Sequence, residues 1–87
     1  MTPLEEKFEV AKKRVLELPE RPSNEKMLEI YSLNKQATIG DINIDKPAMF
    51  DFIAAAKYNS WTKKKGMSKE DAQQKYIDFI ESLFEKK

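Results

Sequence analysis

The chain has 87 residues, enough for one modest core, since a domain of that size buries roughly 60% of the surface its unfolded chain exposes. Hydrophobic residues make up 40% and charged residues 36%, with 16 basic against 15 acidic side chains and a net charge of +1, which excludes general disorder and any whole-molecule field that would gather nucleic acid or anionic lipid. Cysteine and histidine are both absent, so there is no disulfide frame, no thiolate nucleophile, no usual general base and none of the commonest transition-metal ligands.

The start of the chain, Met1 to Lys7, lacks the basic and apolar regions of a secretory signal, and no window approaches the ~18 apolar residues of a spanning helix. A cytoplasmic chain with no integral membrane contact is expected. Leu4, Phe8, Ala11, Val15 and Leu18 recur at spacings of three and four, the mark of one apolar stripe on a helix. Pro3 suits its first turn, and Pro19 and Pro22, which bracket Glu20 and Arg21, stop it and make a short connection. Ser23 or Asn24 can cap the next helix.

That second helix is expected over Asn24 to Ala37, with Met27, Leu28, Ile30, Tyr31 and Asn34 on a wide amphipathic face. Tyr31 and Lys35, four apart, share a face. Thr38 to Ala48, with Gly40, Asp41 and Pro47, reads as a long ordered loop that Ile39, Ile42 and Ile44 pin to the body. A third helix is expected over Met49 to Lys64, carried by Phe50, Ile53, Ala54, Ala56, Lys57 and Trp61 and closed by Gly66 in a left-handed conformation. Ser68 then caps a fourth helix with an acidic first turn, Asp71 standing where a capping box has Glu or Gln. Its stripe is Ala72, Tyr76, Phe79, Ile80, Leu83 and Phe84, and Lys86 and Lys87 suit the dipole at its end. Four amphipathic helices in a single domain spanning 1–87 follow, with no repeat or low-complexity tract.

The chemistry available is narrow. No nucleophile elbow of the form Gly-x-Ser-x-Gly occurs, and the carboxylate pairs Glu5 with Glu9 and Glu25 with Glu29 read as solvated helix faces. Asp41-Ile42-Asn43-Ile44-Asp45 imitates the opening of a calcium loop. Lys46 stands where its sixth position needs glycine and Phe52 where a bidentate Glu should close it, so no metal site is expected, and Asp41 and Asn43 read as turn residues. Lys63-Lys64-Lys65 is the one basic cluster and reads as a solvated helix end, with no base-reading motif beside it.

Tyr31, Lys35, Lys57 and Tyr76 each place a polar tip on or near a core-facing stripe. Lysine suits phosphate as a mobile charge, and tyrosine adds a neutral donor and a flat stacking face. On these residues alone, ordinary rim side chains with buried stems and wet heads remain the favoured reading.

Three blocks tip that balance. Tyr31-Ser-Leu-Asn-Lys-Gln-Ala-Thr-Ile-Gly-Asp-Ile-Asn43, Ala56-Lys-Tyr-Asn-Ser-Trp61 and Ser68-Lys-Glu-Asp-Ala72, in this order and spacing, resemble the acyl-CoA-binding protein family over nearly the whole chain. The resemblance implies an all-α, up-down-down-up four-helix bundle that binds medium- to long-chain acyl-CoA without catalysis, as a cytoplasmic, monomeric carrier and pool former in fatty acid metabolism. It needs no cofactor, and acyl-CoA-using enzymes are its possible recipients. By the same matching, Tyr31 and Lys35 fall where the family holds the 3'-phosphate and adenosine, Lys57 on the third-helix phosphate lysine, and Tyr76 on a fourth-helix ligand contact. Met27, Leu28 and Ala56 would line the acyl groove, and Ser32, Leu33 and Asn34 lie within the binding segment.

The chain departs from the family pattern at Leu16 and Ile53, where lysines are common, at Asn34, where an aromatic is common, and at Tyr58, where tryptophan is common. Lys12 or Lys13, one turn before Leu16, is a possible substitute cation. The rival readings are a helical module that docks an amphipathic peptide in the same groove and a thioesterase working with a carboxylate and water, which the missing histidine disfavours.

Overall fold

The computed structural model describes residues 2–85; Lys86 and Lys87, expected to complement the last helix, lie outside them. Four α-helices and no strand occur among the described residues: α1 (Pro3–Arg14), α2 (Asn24–Thr38), α3 (Phe52–Thr62) and α4 (Lys69–Phe84). They form the expected up-down-down-up bundle.

Each helix starts where a short polar side chain can take up orphan amides. At α1 the Thr2 hydroxyl accepts from the Glu5 amide at 3.1 Å while the Glu5 carboxylate accepts from the Thr2 amide at 2.8 Å, a complete capping box. Ser23 opens α2 by accepting from the Lys26 amide at 3.3 Å. Ser68 opens α4 by accepting from the Asp71 amide at 3.0 Å, but among the described residues the shorter Asp71 side chain makes no return bond, so only half of that expected box forms.

Two boundaries differ most from expectation, while the ends of α2 and α3 differ by one and two residues. The first helix tightens after Arg14 into a 3₁₀ turn, Val15–Glu17, before the prolines. The third helix starts three residues late, because Asp51 is its cap: the carboxylate accepts from the Ala54 amide at 3.1 Å. Met49 and Phe50 therefore belong to the loop, and Phe50, expected on a packed stripe, is 84% exposed.

The core is built mainly by α1, α2 and α4. Phe8 and Ala11 from α1, Ile30, Leu33 and Ala37 from α2, and Ala72, Tyr76, Ile77 and Ile80 from α4 are buried together, with the Phe8 and Tyr76 rings edge to face at 5.0 Å. Helix α3 packs mainly on α2, and only Trp61 from it is fully buried. One flank of the α2–α3 pair is thus left open.

The long connection between α2 and α3 is fastened chiefly by polar groups, and of its three isoleucines only Ile42 is half-buried. Ile39 and Ile44 are 43% and 51% exposed, which corrects the expectation that they anchor it. Asp41 does that work: its Oδ1 accepts from Gln36 Nε2 at 2.9 Å and from the Gly66 amide at 2.8 Å. Gln36, fully buried, also donates to the Met67 carbonyl at 2.8 Å, and Trp61 Nε1 donates to the Gly40 carbonyl at 2.9 Å. Gly66 has φ +92°. It stands at the corner of a turn closed by the Met67 amide on the Lys64 carbonyl at 3.0 Å, four residues past the end of α3 rather than directly on it.

Candidate functional site

The helical repeat splits α2 into two working faces. Ile30, Leu33 and Ala37 turn into the core, while Met27, Leu28, Tyr31 and Lys35 lie toward α3, where Met27, Leu28 and Tyr31 line an open groove of about 570 Å³. Phe52, Ile53, Ala56 and Lys57 supply its α3 wall, and Arg21 and Asn24 complete it near the start of α2. Successive α3 residues 52, 53, 56 and 57 share one face by the 3.6-residue period, so a short helix suffices to build that wall.

At one end of the groove the charges gather around a ring. Lys57 Nζ stands 5.4 Å and Lys35 Nζ 5.7 Å from the centroid of Tyr31, and Lys35 Nζ is also 5.9 Å from the centroid of Trp61. The two ammonium groups are drawn to the negative faces of the aromatic rings, which holds two like charges around one ring with no carboxylate neutralising either among the described residues. The arrangement offers cations for a multiply charged anion beside an apolar trough. Lysine supplies mobile donors for phosphate oxygens, and the trough removes methylenes from water at about 0.8 kcal/mol each.

Not every residue named from the sequence faces this groove. Ser32 and Leu33 are 0% and 2% exposed, and the Ser32 hydroxyl donates to the Glu29 carbonyl at 3.1 Å. Their side chains are turned inward by the same period that turns Tyr31 and Lys35 outward, so within the expected binding segment they do not line this groove. Asn34 is half-buried, with its carbonyl accepting from the Thr38 hydroxyl at 2.8 Å. Tyr76 is 2% exposed and packs on Phe8. Burial raises its pKa above the ordinary tyrosine value, and its hydroxyl makes no hydrogen bond among the described residues, so a side-on contact with ligand is limited to that tip.

Lys64 also departs from expectation. Its ammonium lies 2.9 Å from both carboxylate oxygens of Glu29, so neither residue is the solvated rim group that the sequence suggested. Lys12, a possible substitute for the cation missing at Leu16, pairs with Glu9 at 2.9 Å and sits 4.9 Å from the Phe8 ring. Conversely, Phe52, Ile53, Arg21 and Asn24 line the groove although the sequence did not single them out as site residues. The signal was present in the run Met49-Phe50-Asp51-Phe52-Ile53, whose apolar residues are too dense for a single helical stripe.

No group of three or more acidic side chains able to hold a metal ion exists among the described residues, and none of the described helices is long and apolar enough to cross a membrane.

Comparison with known proteins places the chain among a defined set. Residues 5–80 match the family model described as acyl-CoA-binding protein. The chain is 47% identical over 76 residues to the acyl-CoA-binding protein of Dictyostelium discoideum, covering 87% of this chain and 90% of that one. It is 44% identical over 79 residues to acyl-CoA-binding protein homolog 1 of Caenorhabditis elegans, covering 91% and 92%. The crystal structure of Oryza sativa acyl-CoA-binding protein 2 superposes with a TM-score of 0.88 at 36% identity, covering 92% of this chain and 89% of that one.

Proposed function

The chain belongs to the acyl-CoA-binding protein family, and we propose that it binds medium- to long-chain acyl-CoA thioesters without transforming them, as an intracellular carrier and pool former. The observation that carries this reading is the adjacency of two lysines on one tyrosine ring with an apolar trough of about 570 Å³. A ligand with a polyphosphate head and a fatty tail needs both at once.

In this reading Lys35 and Lys57 neutralise phosphate through charge-assisted hydrogen bonds. Tyr31 contributes its ring and hydroxyl at the nucleotide end, with the Tyr76 tip as a second contact. Met27, Leu28 and Ala56 cover the acyl chain together with Phe52 and Ile53, and Asn24 and Arg21 stand near the start of α2. The chain acts as one domain and as a monomer, and it sequesters the thioester from water and from hydrolysis until an acyl-consuming enzyme takes it. The absence of histidine and cysteine from the sequence supports binding over turnover, because neither the usual base nor a thiol nucleophile is at hand.

Titration calorimetry with palmitoyl-CoA, CoA, palmitate and an amphipathic helical peptide tests the reading. Palmitoyl-CoA should bind far more tightly than CoA or palmitate alone, since only it uses both halves of the site. No heat with palmitoyl-CoA at micromolar protein removes the carrier function, and saturable heat with the peptide instead points to a peptide-docking module. Steady release of free thiol from the complex would make the protein a thioesterase.

A further inference from the structure

Four large apolar side chains within one short stretch, Met49, Phe50, Phe52 and Ile53, are 90%, 84%, 79% and 74% exposed. Phe52 and Ile53 belong to the groove wall, and Met49 and Phe50 do not. The Asp51 amide donates to the Ala48 carbonyl at 3.0 Å, which makes Met49 and Phe50 the two corner residues of a turn. Such exposure means that no neighbour crowds either side chain. They form a convex apolar knob directly ahead of the first turn of α3, with Asp45 and Lys46 exposed just before it.

A soluble surface rarely shows so much contiguous apolar area without a partner for it. The shape of the knob and its place narrow the partner. A protein would have to supply a fitted pocket for two fully projecting apolar side chains, whereas a fluid bilayer admits an apolar wedge at its interface without matching its shape. The knob is also continuous with the groove, two residues from its wall. The ligand proposed for that groove is an amphiphile whose chain rests in a bilayer when it is free, because leaving it in water is unfavourable in proportion to its length.

Resting on the carrier reading, we propose that the Met49–Phe50 turn is a peripheral phospholipid-bilayer contact. It seats at the level of the headgroups and upper acyl chains and brings the mouth of the groove to the surface from which the acyl chain is drawn. Lys46 beside it and Lys57 on the groove remain in the headgroup layer, their stems against apolar surface and their ammonium groups in water. No segment spans the membrane in this arrangement.

Vesicle flotation tests the contact, using phosphatidylcholine alone and phosphatidylcholine mixed with phosphatidylglycerol. The native chain should float with both, and the Met49→Ser/Phe50→Ser variant should lose at least about tenfold of its bound fraction, as expected for removing two large apolar groups from the interface. Its affinity for palmitoyl-CoA without lipid and its thermal unfolding should stay unchanged, since neither residue lies in the groove or the core. Emission of a Phe50→Trp variant should be quenched by brominated phosphatidylcholine. A native chain that stays in the aqueous fraction, a double variant that floats as well as the native chain, or dimerisation of the lipid-free chain that the double variant abolishes would each overturn the proposal. Failure of the native chain to bind palmitoyl-CoA without lipid overturns the carrier reading itself, whatever the vesicles show.

Discussion

The indole N–H of Trp61 donates to the carbonyl of Gly40 at 2.9 Å, fastening the connection after α2 to the end of α3. The same indole lies 5.9 Å from Lys35 Nζ, so the anchor of the loop also borders the charged end of the groove. Trp61→Phe removes the bond while keeping much of the packing, leaving the Gly40 carbonyl unpaired by side chain. Destabilisation of about 1–3 kcal/mol is expected in urea unfolding. A smaller loss of palmitoyl-CoA affinity should accompany it, because Lys35 keeps its contact with Tyr31.

Tyr31 has two separable contributions. Tyr31→Phe removes the hydroxyl and keeps the ring that faces both lysines, whereas Tyr31→Leu removes both. Tyr31→Phe and Lys35→Ala should each weaken palmitoyl-CoA binding by about 1–3 kcal/mol, and Tyr31→Leu should cost about 0.5–1 kcal/mol more than Tyr31→Phe. Titration calorimetry reads the affinities and circular dichroism the intact fold. Unchanged affinity in Tyr31→Phe and Lys35→Ala would remove these residues from the site.

The Glu29–Lys64 pair predicts a double-mutant cycle. With its side chains 39% and 16% exposed, the bidentate contact ties α2 to the turn after α3 and should show a coupling of about 0.5–1 kcal/mol between Glu29→Gln and Lys64→Met. The coupling should shrink in high salt. Neither single variant should change palmitoyl-CoA affinity as Lys35→Ala does, since Lys64 is engaged away from the groove.

Asp41 predicts part of the response to acid. The Gly66 amide and, after it, the Gln36 side chain hold its carboxyl below the ordinary aspartate value. With the folded pKa depressed, the unfolded chain takes up the proton first as pH falls, so stability tied to Asp41 is whole above about pH 4 and is lost as pH drops through the lowered value. The native chain should therefore be more stable than Asp41→Asn at neutral pH, and their stabilities should converge in strong acid. Glu5, lowered by its bonds with Thr2, drains in the same window in both chains and cancels in the comparison. Urea unfolding across the acid range reads the convergence.

Gly40 and Gly66 were both visible as punctuation, yet their roles differ in kind. At each the backbone takes a positive φ, +100° at Gly40 and +92° at Gly66, a region that costs other residues strain. The turn chemistry was therefore legible. That the Gly40 carbonyl would receive Trp61 and the Gly66 amide would reach Asp41 was not, because those partners lie 21 and 25 residues away, beyond any local pattern. Asp41 serves a turn, as its sequence context suggested, but the turn whose amide it satisfies belongs to another connection.

What the sequence by itself determined is the set of four helices, the N-caps Ser23 and Ser68, the long connection and the family to which the blocks at Tyr31–Asn43, Ala56–Trp61 and Ser68–Ala72 point. Periodicity and capping act within a few residues, so they survive without a fold. Only the tertiary structure decided which neighbour covers each face. It buried Ser32, Leu33 and the body of Tyr76, paired Lys64 with Glu29, and left Phe50 and Ile53 in the open. The physical reason is that a 3.6-residue period divides a helix into faces without saying what packs on them, and α3, which rests mainly on α2, leaves open the face that becomes the groove.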